Sequence, residues 1–283
     1  MTRVIITGAG SYIGTHLGAW LSRRPERFEV EEMDLHGAWD ASAFLGCGCV
    51  IHVAGLAHRR EQPGDEALYD RVNHALALEV AEAAKAQGVR QFIFFSSMSV
   101  YGLSCGRITA QTRPAPNTCY GASKWKAEQA LAGMADDAFH VAVLRPPMIY
   151  GRGCRGNYPR LSALAQSLLL FPRVQNERSM LYIDTLCAFV ERLVDSGEGG
   201  LYFPQNRDYV STCAMVREIA ACYGRRVRMV PGMAALLGAL APRVGLVGKV
   251  FGTLTYDQSM SEAFRPEEEL SFAETIRRTE VGA

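Results

Sequence analysis

The feature that most restricts the fold of this chain is the glycine-rich segment TGAGSYIG, residues 7–14. A run of β-branched residues, 4–7, leads into it, and an apolar pattern of helical spacing, 13–23, follows it. A strand that turns through glycines into a helix directs backbone N–H groups and the positive helix end towards one point, which suits a pyrophosphate. The segment therefore predicts the first strand–turn–helix of a dinucleotide-binding fold. The alternative is a turn whose glycines only let the helix pack closely on the strand.

An acidic residue follows at the distance that such a fold requires. Asp34 stands twenty residues after Gly14, at the end of a second β-rich run, 28–33. A carboxylate at this place accepts hydrogen bonds from ribose hydroxyls and repels a 2′-phosphate. Neither Leu35 nor His36, the next two residues, is a fixed cation that would offset this repulsion. These residues favour NAD over NADP as the cofactor.

Short β-branched runs alternate with helical patterns along the first half of the chain, which is typical of a parallel sheet covered by helices. The predicted strands are residues 4–7, 28–33, 50–54, 91–96 and 141–144, and the predicted helices are 13–23, 71–87 and 120–132. Only about fifteen residues separate Asp34 from the third strand, so one helix–strand–helix passage is missing. We expect an α/β, Rossmann-type doubly wound parallel sheet, trimmed after its second strand, with a smaller C-terminal substrate domain.

The composition excludes several classes of protein. The 283 residues are 48% hydrophobic and 21% charged with a formal net charge of +1, so we expect neither nucleic-acid binding nor a polybasic segment for an anionic membrane. The most apolar stretch, 232–240, is too short for membrane insertion. The eight cysteines include no C-x-x-C pair, so we expect no metal site and interpret them as reduced thiols of a cytoplasmic protein. Because a strand begins at Arg3, we expect no signal peptide.

Two segments carry residues that suit hydride-transfer chemistry: SSMSVYG, residues 96–102, and YGASK, residues 120–124. The first follows a strand, so its serines lie at the carboxyl edge of the sheet, where open α/β folds bind ligands. The second begins a helix, and its spacing places Tyr120 and Lys124 on one face. The lysine can lower the pKa of the phenol, which then takes a proton from a substrate hydroxyl. Ser97 would hydrogen-bond the same oxygen as it becomes a carbonyl.

Together these motifs resemble those of the extended short-chain dehydrogenase/reductases, and within them the nucleotide-sugar epimerases and 4-ketosugar reductases similar to UDP-glucose 4-epimerase. The resemblance covers nearly the whole chain. Ser11 departs from it, because the family usually has its middle glycine there; serine is small, so we expect binding to survive with the hydroxyl able to face the phosphate. HVAG, 52–55, matches the strand end along the cofactor, although His52 alone is interpreted as a core histidine. Asn73 matches the helix residue that supports the active site.

The resemblance assigns roles to individual residues. The implied cofactor contacts are Gly8, Gly10, Ser11, Tyr12, Ile13, Gly14, Asp34, Val53, Ala54, Gly55, Asn73, Tyr120, Lys124 and Pro147. The implied catalytic residues are Ser97, Tyr120 and Lys124, and the implied substrate contacts are Ser97, Ser99, Asn157 and Arg178. Ser99 and Met98 stand where the family's dehydratases carry a glutamate and an aspartate. Without that acid–base pair, we do not expect a dehydratase.

Candidates for binding a nucleotide diphosphate follow in the second half. The segment GNYPRL around Asn157 resembles the family's loop whose Asn holds this group. The segment RSMLYID, which begins at Arg178, resembles the arginine-bearing strand that clamps it. A guanidinium and an amide are suitable donors for a diphosphate. The alternatives are that Asn157 caps a helix and that Arg178 pairs with Glu177 or Asp184.

After Gly151 the pattern becomes irregular, with Gly, Pro, Asn and Arg among short helices, which indicates a smaller domain. We expect residues 1–153 and about 177–205 to form the NAD-binding Rossmann domain. Residues of about 154–176 and 206–283 would form the nucleotide-sugar-binding domain. The region after about residue 224 offers no assignable contacts, and a family-like homodimer is compatible with the sequence.

The favoured function is interconversion at C4 of a nucleotide-sugar, most simply a UDP-sugar, by an NAD-dependent 4-epimerase. The resemblance suggests a place in the synthesis of surface-polysaccharide precursors. A nucleotide 4-ketosugar reductase, which consumes external NADH or NADPH, would use the same residues. A non-catalytic NAD-binding regulator is a third hypothesis, which the intact Ser97, Tyr120 and Lys124 disfavour.

Overall fold

The structure is a computed structural model, and it describes residues 1–57, 59–232 and 251–282. The strands are β1 (Thr2–Thr7), β2 (Phe28–Met33), β3 (Cys49–His52), β4 (Gln91–Phe95), β5 (Gly106–Ile108), β6 (His140–Leu144), β7 (Met148–Tyr150), β8 (Leu170–Pro172), β9 (Met180–Tyr182), β10 (Gly200–Tyr202), β11 (Arg228–Val230) and β12 (Leu254–Tyr256). The helices are α1 (Tyr12–Leu21), α2 (Glu66–Tyr69), α3 (Leu76–Ala86), α4 (Cys119–Ala132), α5 (Asn157–Ser167), α6 (Ile183–Ser196), α7 (Thr212–Cys222) and α8 (Phe272–Glu280).

The central sheet has six strands in the order β10–β6–β4–β3–β1–β2, and every neighbouring pair is parallel. This confirms the Rossmann-type α/β fold. It also confirms the trimmed sheet, because β2 is an edge strand and only the short 3₁₀ helix Ala41–Phe44 lies between β2 and β3. β2 carries Glu29, Glu31 and Glu32. Charges of this kind keep an exposed edge strand from pairing with another chain.

Helices cover both faces of the sheet, so its inner strands are apolar. All five residues of β4, QFIFF, are buried, as expected for a strand with helices on both sides. On one face α6 packs on α1, and the Glu191 carboxylate joins the two helices. It accepts hydrogen bonds from Trp20 Nε1 (2.7 Å), Arg24 (2.9 Å) and Arg27 (2.8 Å). A late segment of the chain thereby completes the packing of the first helix.

The helix predicted over residues 71–87 differs from the structure in its start and in its regularity. It begins earlier, at Glu66, and the residues Asp70–Ala75 form a π-helix between α2 and α3. Tyr69 accounts for the early start, because its buried ring packs edge-on against Tyr120 with the centroids 6.5 Å apart. A π-helix holds one more residue per turn, and this bulge places Asn73 in the interior.

His52, at the end of β3, is a core residue, as interpreted from the sequence. It is fully buried, its Nδ1 lies 2.9 Å from Thr7 Oγ1, and its ring stacks with Phe92 and Phe94. Its Nε2 has no hydrogen-bond partner within the described ranges. Burial lowers the pKa of His52 to about 3, so the ring is neutral at physiological pH.

The C-terminal part adds a small helical layer, in which α7 contacts both α5 and α8. The short parallel pair β5–β12 joins this part to the segment after β4, and two further short parallel pairs, β8–β11 and β7–β9, form within the second half of the chain. The division into two domains at the expected boundaries stays a prediction. Of the apolar stretch, residues 233–240 lie outside the described residues. Within the described ranges, no helix is both long and apolar enough to cross a membrane.

Candidate active site

The glycine-rich turn after β1 fits closely against the segment that follows β3. Gly8 has φ +96°, and a Cβ placed on it would lie 2.8 Å from the backbone nitrogen of Ala54. A Cβ on Gly14 would lie 3.2 Å from Val53 Cγ2. Gly10 has φ +70°, and a Cβ placed on it would meet no atom within 4 Å. The backbone of the turn therefore approaches its neighbours so closely that only glycine fits at Gly8 and Gly14.

Ser11 is the helix N-cap of α1. Its Oγ accepts a hydrogen bond from the Gly14 N–H at 3.1 Å, so this N–H is no longer free for a phosphate. The hydroxyl proton stays available as a donor. Serine in place of the family's middle glycine thus stabilises the start of the helix, which the sequence had not predicted.

The side chain of Tyr12 does not lie in the turn. A Cβ on Gly151 would come within 2.6 Å of the Tyr12 hydroxyl and 2.4 Å of Ile183 Cγ2, so the ring is packed beneath α1. Burial raises the pKa of Tyr12 well above the usual value of a phenol. Ile13 likewise packs against the core. The contacts of these two residues with the cofactor stay predictions.

Two carboxylates border the turn, and the sequence predicted only one of them. Asp34 is exposed and accepts hydrogen bonds from the backbone N–H (2.9 Å) and Nδ1 (2.7 Å) of His36, which lower its pKa. Glu32, on β2, accepts a hydrogen bond from the Gly10 N–H at 3.1 Å. Three acidic residues within one six-residue strand were the available signal, but the direction of each side chain depends on the strand register.

Tyr120, Ser97 and Lys124 converge at the carboxyl edge of the sheet. Tyr120 is the second residue of α4, and Ser97 caps the 3₁₀ helix Met98–Tyr101 after β4. Burial raises the pKa of Tyr120 above 10, and a hydrogen bond with Ser97 partly offsets this. That Lys124, together with the nicotinamide, lowers the pKa of Tyr120 stays a prediction. Ser99, with its hydroxyl 3.1 Å from Ser97 Oγ, is exposed beside them.

The Lys124 ammonium is the most unusual group of the site. The residue is 3% exposed, and Nζ lies 4.6 Å from the centroid of the Phe94 ring. It donates no hydrogen bond to any described residue. Burial lowers its pKa to about 7, although the nearby Glu128 carboxylate raises it somewhat. A Cβ on Gly55 would approach Nζ to 3.2 Å, so the glycine leaves space beside the ammonium.

A buried ion pair holds the three catalytic elements together. The Glu128 carboxylate, on α4, accepts hydrogen bonds from Ser96 and from Arg145, with Arg145 Nη2 at 2.5 Å. Arg145 follows β6 and also donates to Tyr101 Oη at 2.8 Å. These contacts join the ends of β4 and β6 to α4, so they fix Ser97 and Tyr120 relative to each other. This pairing was not predicted from the sequence, because its members lie on different elements that only the fold brings together.

Asn73 supports the active site through hydrogen bonds to the segment after β3 and to α4. It is fully buried, its Oδ1 accepts the Leu56 N–H (2.6 Å), and its Nδ2 donates to Leu56 O and Ser123 Oγ (both 3.1 Å). These contacts give Asn73 a supporting role, and the implied contact of its side chain with the cofactor stays a prediction. Asn73 fixes the segment after β3, which includes Gly55, against the helix that carries Lys124.

Glu61 is a second residue that the sequence did not reveal. Its two carboxylate oxygens accept the backbone N–H groups of Cys119 and Tyr120, each at 3.0 Å. Thr118 Oγ1 accepts the Gly121 N–H at 3.0 Å, so the first turn of α4 is capped by two side chains. A carboxylate at a helix N-terminus is favourable because of the helix dipole. Glu61 thereby anchors the segment before α2 directly at Tyr120.

The residues expected to bind the substrate lie further along the chain. Asn157 is the first residue of α5, but Gly156 is the N-cap, so the capping alternative for Asn157 is wrong. Arg178 pairs neither with Glu177 nor with Asp184; its Nη1 donates to Gly252 O at 2.9 Å, and burial lowers its pKa. The ion-pair alternative is therefore wrong too. Pro147 is buried, beside the Pro146 carbonyl that accepts the Met98 N–H at 3.0 Å.

A comparison with protein families decides what this arrangement is. The model of the NAD dependent epimerase/dehydratase family matches residues 4–202, which is more than half of the chain. The chain belongs to this family. Membership confirms the resemblance, the NAD cofactor and the expectation of an enzyme of the epimerase and reductase class.

The relatives of this family member include epimerases and reductases. The UDP-glucose 4-epimerase of Vibrio cholerae is 28% identical over 289 residues, which cover 90% of this chain and 87% of that protein. The GDP-6-deoxy-D-mannose reductase of Pseudomonas aeruginosa is 26% identical over 226 residues, 71% and 73% of the two chains. The crystal structure of UDP-glucuronic acid 4-epimerase from Bacillus cereus in complex with NAD has a TM-score of 0.76, with 98% and 96% coverage. At 17% identity this similarity shows the fold alone.

The residues of this NAD dependent epimerase/dehydratase family member fit the cofactor. Gly10 leaves open space above the turn, where a Cβ would meet no atom within 4 Å. Lys124 offers a buried ammonium without an acceptor among the described residues, beside the space that Gly55 leaves. Such an ammonium requires acceptors such as ribose hydroxyls to offset its burial. The turn would hold the pyrophosphate, Asp34 the adenosine ribose, and Lys124 the ribose of the nicotinamide.

Glu32 is expected to strengthen the preference of this family member for NAD. The Glu32→Gln variant should bind NADPH about tenfold more tightly than the wild type, because a 2′-phosphate no longer meets a second carboxylate. The affinity for NADH should change little. Both dissociation constants can be measured by fluorescence titration. Glu31→Gln is the matched control, since the Glu31 carboxylate binds Arg3 at 2.8 Å. An unchanged affinity of Glu32→Gln for NADPH would contradict the assignment.

Proposed function

We propose that this protein is an NAD-dependent 4-epimerase of a nucleotide-sugar, most simply a UDP-sugar. The observation that carries the proposal is the convergence at the carboxyl edge of the sheet of Tyr120, Ser97 and Lys124, whose ammonium has no acceptor among the described residues. The UDP-glucose 4-epimerase of Vibrio cholerae, which matches along 90% of this chain, supports the substrate class. The cofactor supplies the chemistry of a hydride acceptor and donor at C4 of the sugar.

Proton transfer is the task of Tyr120. As the phenolate, Tyr120 takes the proton of the C4 hydroxyl to become the phenol, and it returns this proton to the same oxygen at the end of the reaction. Ser97, which already hydrogen-bonds Tyr120, donates to the same substrate oxygen while it is a carbonyl. Lys124 is charged once it has acceptors, and its charge then stabilises the phenolate of Tyr120. The Glu128–Arg145 pair and Glu61 keep these groups in position.

The diphosphate of the substrate would bind at Arg178 and Asn157. Arg178 is a half-buried guanidinium without a carboxylate partner in the described part of the chain, and such a group gains from an anion that reaches it. The Asn157 side chain, on the first turn of α5, is exposed and available. Met98 and Ser99 provide no acid–base pair for the elimination of water, so the proposal does not include dehydration.

A 4-ketosugar reductase is the second candidate, and the similarity to the GDP-6-deoxy-D-mannose reductase of Pseudomonas aeruginosa favours it. Both reactions need the same proton donor, the same serine and the same lysine. They differ in whether the reduced cofactor is retained or exchanged. The complete set of Ser97, Tyr120 and Lys124 disfavours a non-catalytic regulator. A homodimer and a cytoplasmic location stay predictions.

Proton NMR of the purified protein tests the proposal. The protein is incubated with UDP-glucose, UDP-galactose and their N-acetyl forms, together with a trace of NAD. New anomeric signals of the 4-epimer without net consumption of cofactor would support an epimerase and identify its substrate. If the spectra do not change, the reductase is tested with nucleotide 4-keto sugars and NADH or NADPH. The absence of turnover in both experiments would overturn the assignment of the site.

A further inference from the structure

Three leucines are exposed together where α5 leads into β8. Leu164, Leu169 and Leu170 have 40%, 69% and 57% of their surface exposed. Leu164 lies in the last turn of α5, whose end is marked by the hydrogen bond from the Leu168 N–H to the Leu164 carbonyl (3.0 Å). Leu168 itself packs against the core, whereas the next two residues do not. Neighbouring exposed leucines are unusual on a monomer surface and indicate a site of interaction.

Three arginines lie beside these leucines. In the parallel pair of β8 and β11, Leu170 stands opposite Arg228, and the Arg228 N–H donates to the Leu169 carbonyl at 2.9 Å. Arg225 and Arg226 precede β11 at the same end and, like Arg228, are exposed. No side chain of the three forms an ion pair or a hydrogen bond within the described ranges. The leucines are therefore bordered by guanidinium groups that no carboxylate neutralises.

The sequence also contains two long segments that carry basic residues and no acidic ones. Residues 138–176 contain five arginines and no aspartate or glutamate. Residues 219–256 contain four arginines and one lysine, again without an acid. Of these cations, Arg173 directly follows β8 and three more, Arg225, Arg226 and Arg228, lie in or just before β11, all of them exposed. The net charge of +1 therefore hides a local excess of positive charge at these two strands, which the composition alone did not predict.

We propose that this leucine–arginine corner, formed by Leu164, Leu169, Leu170, Arg225, Arg226 and Arg228, binds reversibly to an anionic phospholipid surface. Leucines that enter the boundary of headgroups and acyl chains, flanked by arginines at the phosphates, are the combination that peripheral membrane binding needs. Two copies of the chain that met symmetrically at this corner would place arginines against arginines. An anionic lipid surface complements both the leucines and the charge, and binding there is independent of the proposed function.

Co-sedimentation of the full chain with lipid vesicles tests the proposal. The protein is expected to sediment with vesicles of phosphatidylcholine and phosphatidylglycerol, much less with pure phosphatidylcholine, and less at high salt. The triple variant Arg225→Gln/Arg226→Gln/Arg228→Gln should lose about a hundredfold in partition coefficient, roughly fivefold per charge. The double variant Leu169→Ser/Leu170→Ser should lose about tenfold or more.

Two control variants carry the same chemical changes elsewhere. Leu45→Ser replaces a leucine that is 68% exposed next to the 3₁₀ helix Ala41–Phe44, and Arg90→Gln removes an exposed charge before β4. Both should sediment like the wild type, and thermal unfolding confirms that all variants are folded. The proposal is overturned if both vesicle types bind equally, or if the controls lose as much binding as the corner variants. It is also overturned if the leucine variant abolishes self-association while vesicle binding stays unchanged.

Discussion

Replacing Tyr120 by phenylalanine should lower kcat by roughly a thousandfold, within the range of general acid–base catalysis, while the dissociation constant of NADH stays nearly unchanged. The substitution removes the hydroxyl that accepts the substrate proton and bonds Ser97, but it keeps the ring that packs on Tyr69. Steady-state kinetics with the substrate found by NMR and fluorescence titration with NADH provide the two measurements. Because binding is retained, the loss would be assigned to the chemical step.

Tyr69→Phe is the matched control for this prediction. It removes the same hydroxyl from the neighbouring ring, whose centroid is 6.5 Å from that of Tyr120. Its kcat should stay close to the wild-type value. Wild-type turnover by Tyr120→Phe would exclude Tyr120 as the proton acceptor, and a parallel loss in both variants would indicate that packing rather than proton transfer is affected.

Replacing Lys124 by methionine should abolish most activity and yet stabilise the protein without cofactor, most strongly in acid. Burial lowers the pKa of Lys124 from 10.5 to about 7. Below pH 7 the folded protein carries the buried charge, at a cost on the order of 5 kcal/mol. Between pH 7 and 10.5 the unfolded chain binds more protons than the folded one, so the wild type gains free energy of unfolding as the pH rises. The advantage of Lys124→Met should therefore shrink over this interval.

Urea unfolding at pH 6, 8 and 9.5 measures this difference. Lys126→Met is the control on the same helix, because Lys126 is 58% exposed and pairs with Asp70 at the surface. Surface pairs of this kind contribute at most about 1 kcal/mol, so this variant should show a small effect that is nearly independent of pH. A stability difference between Lys124→Met and the wild type that is the same at all three pH values would show that Lys124 keeps an ordinary pKa.

The sequence predicted those parts of the site that depend on local order along the chain. The turn from Gly8 to Gly14, the serine after β4 and the Tyr120–Lys124 pair on α4 each follow from a strand or helix and its spacing. The trimmed sheet could be predicted as well, because fifteen residues cannot hold a helix, a strand and a second helix.

Contacts between distant segments could not be predicted in this way. Glu61 bonds the backbone at Tyr120 across 59 residues of sequence, and Glu32 meets Gly10 only because β2 lies beside β1 in a particular register. The surroundings of Arg178 could not be predicted either, since two acids stand near it in the sequence but its Nη1 donates to the distant Gly252 carbonyl. The π-helix around Asn73 was missed because its residues continue the helical pattern.

The packing of α6 on α1 through Glu191 has a consequence for biosynthesis. Trp20, Arg24 and Arg27 find their partner only when Glu191 has been made, and β10 completes the sheet at Tyr202. A nascent chain that ends before these residues leaves the apolar face of α1 uncovered, although its glycine-rich turn is already complete. The ribosome must therefore deliver about two thirds of the chain before the first helix is fully packed, and until then the N-terminal segment depends on protection from aggregation.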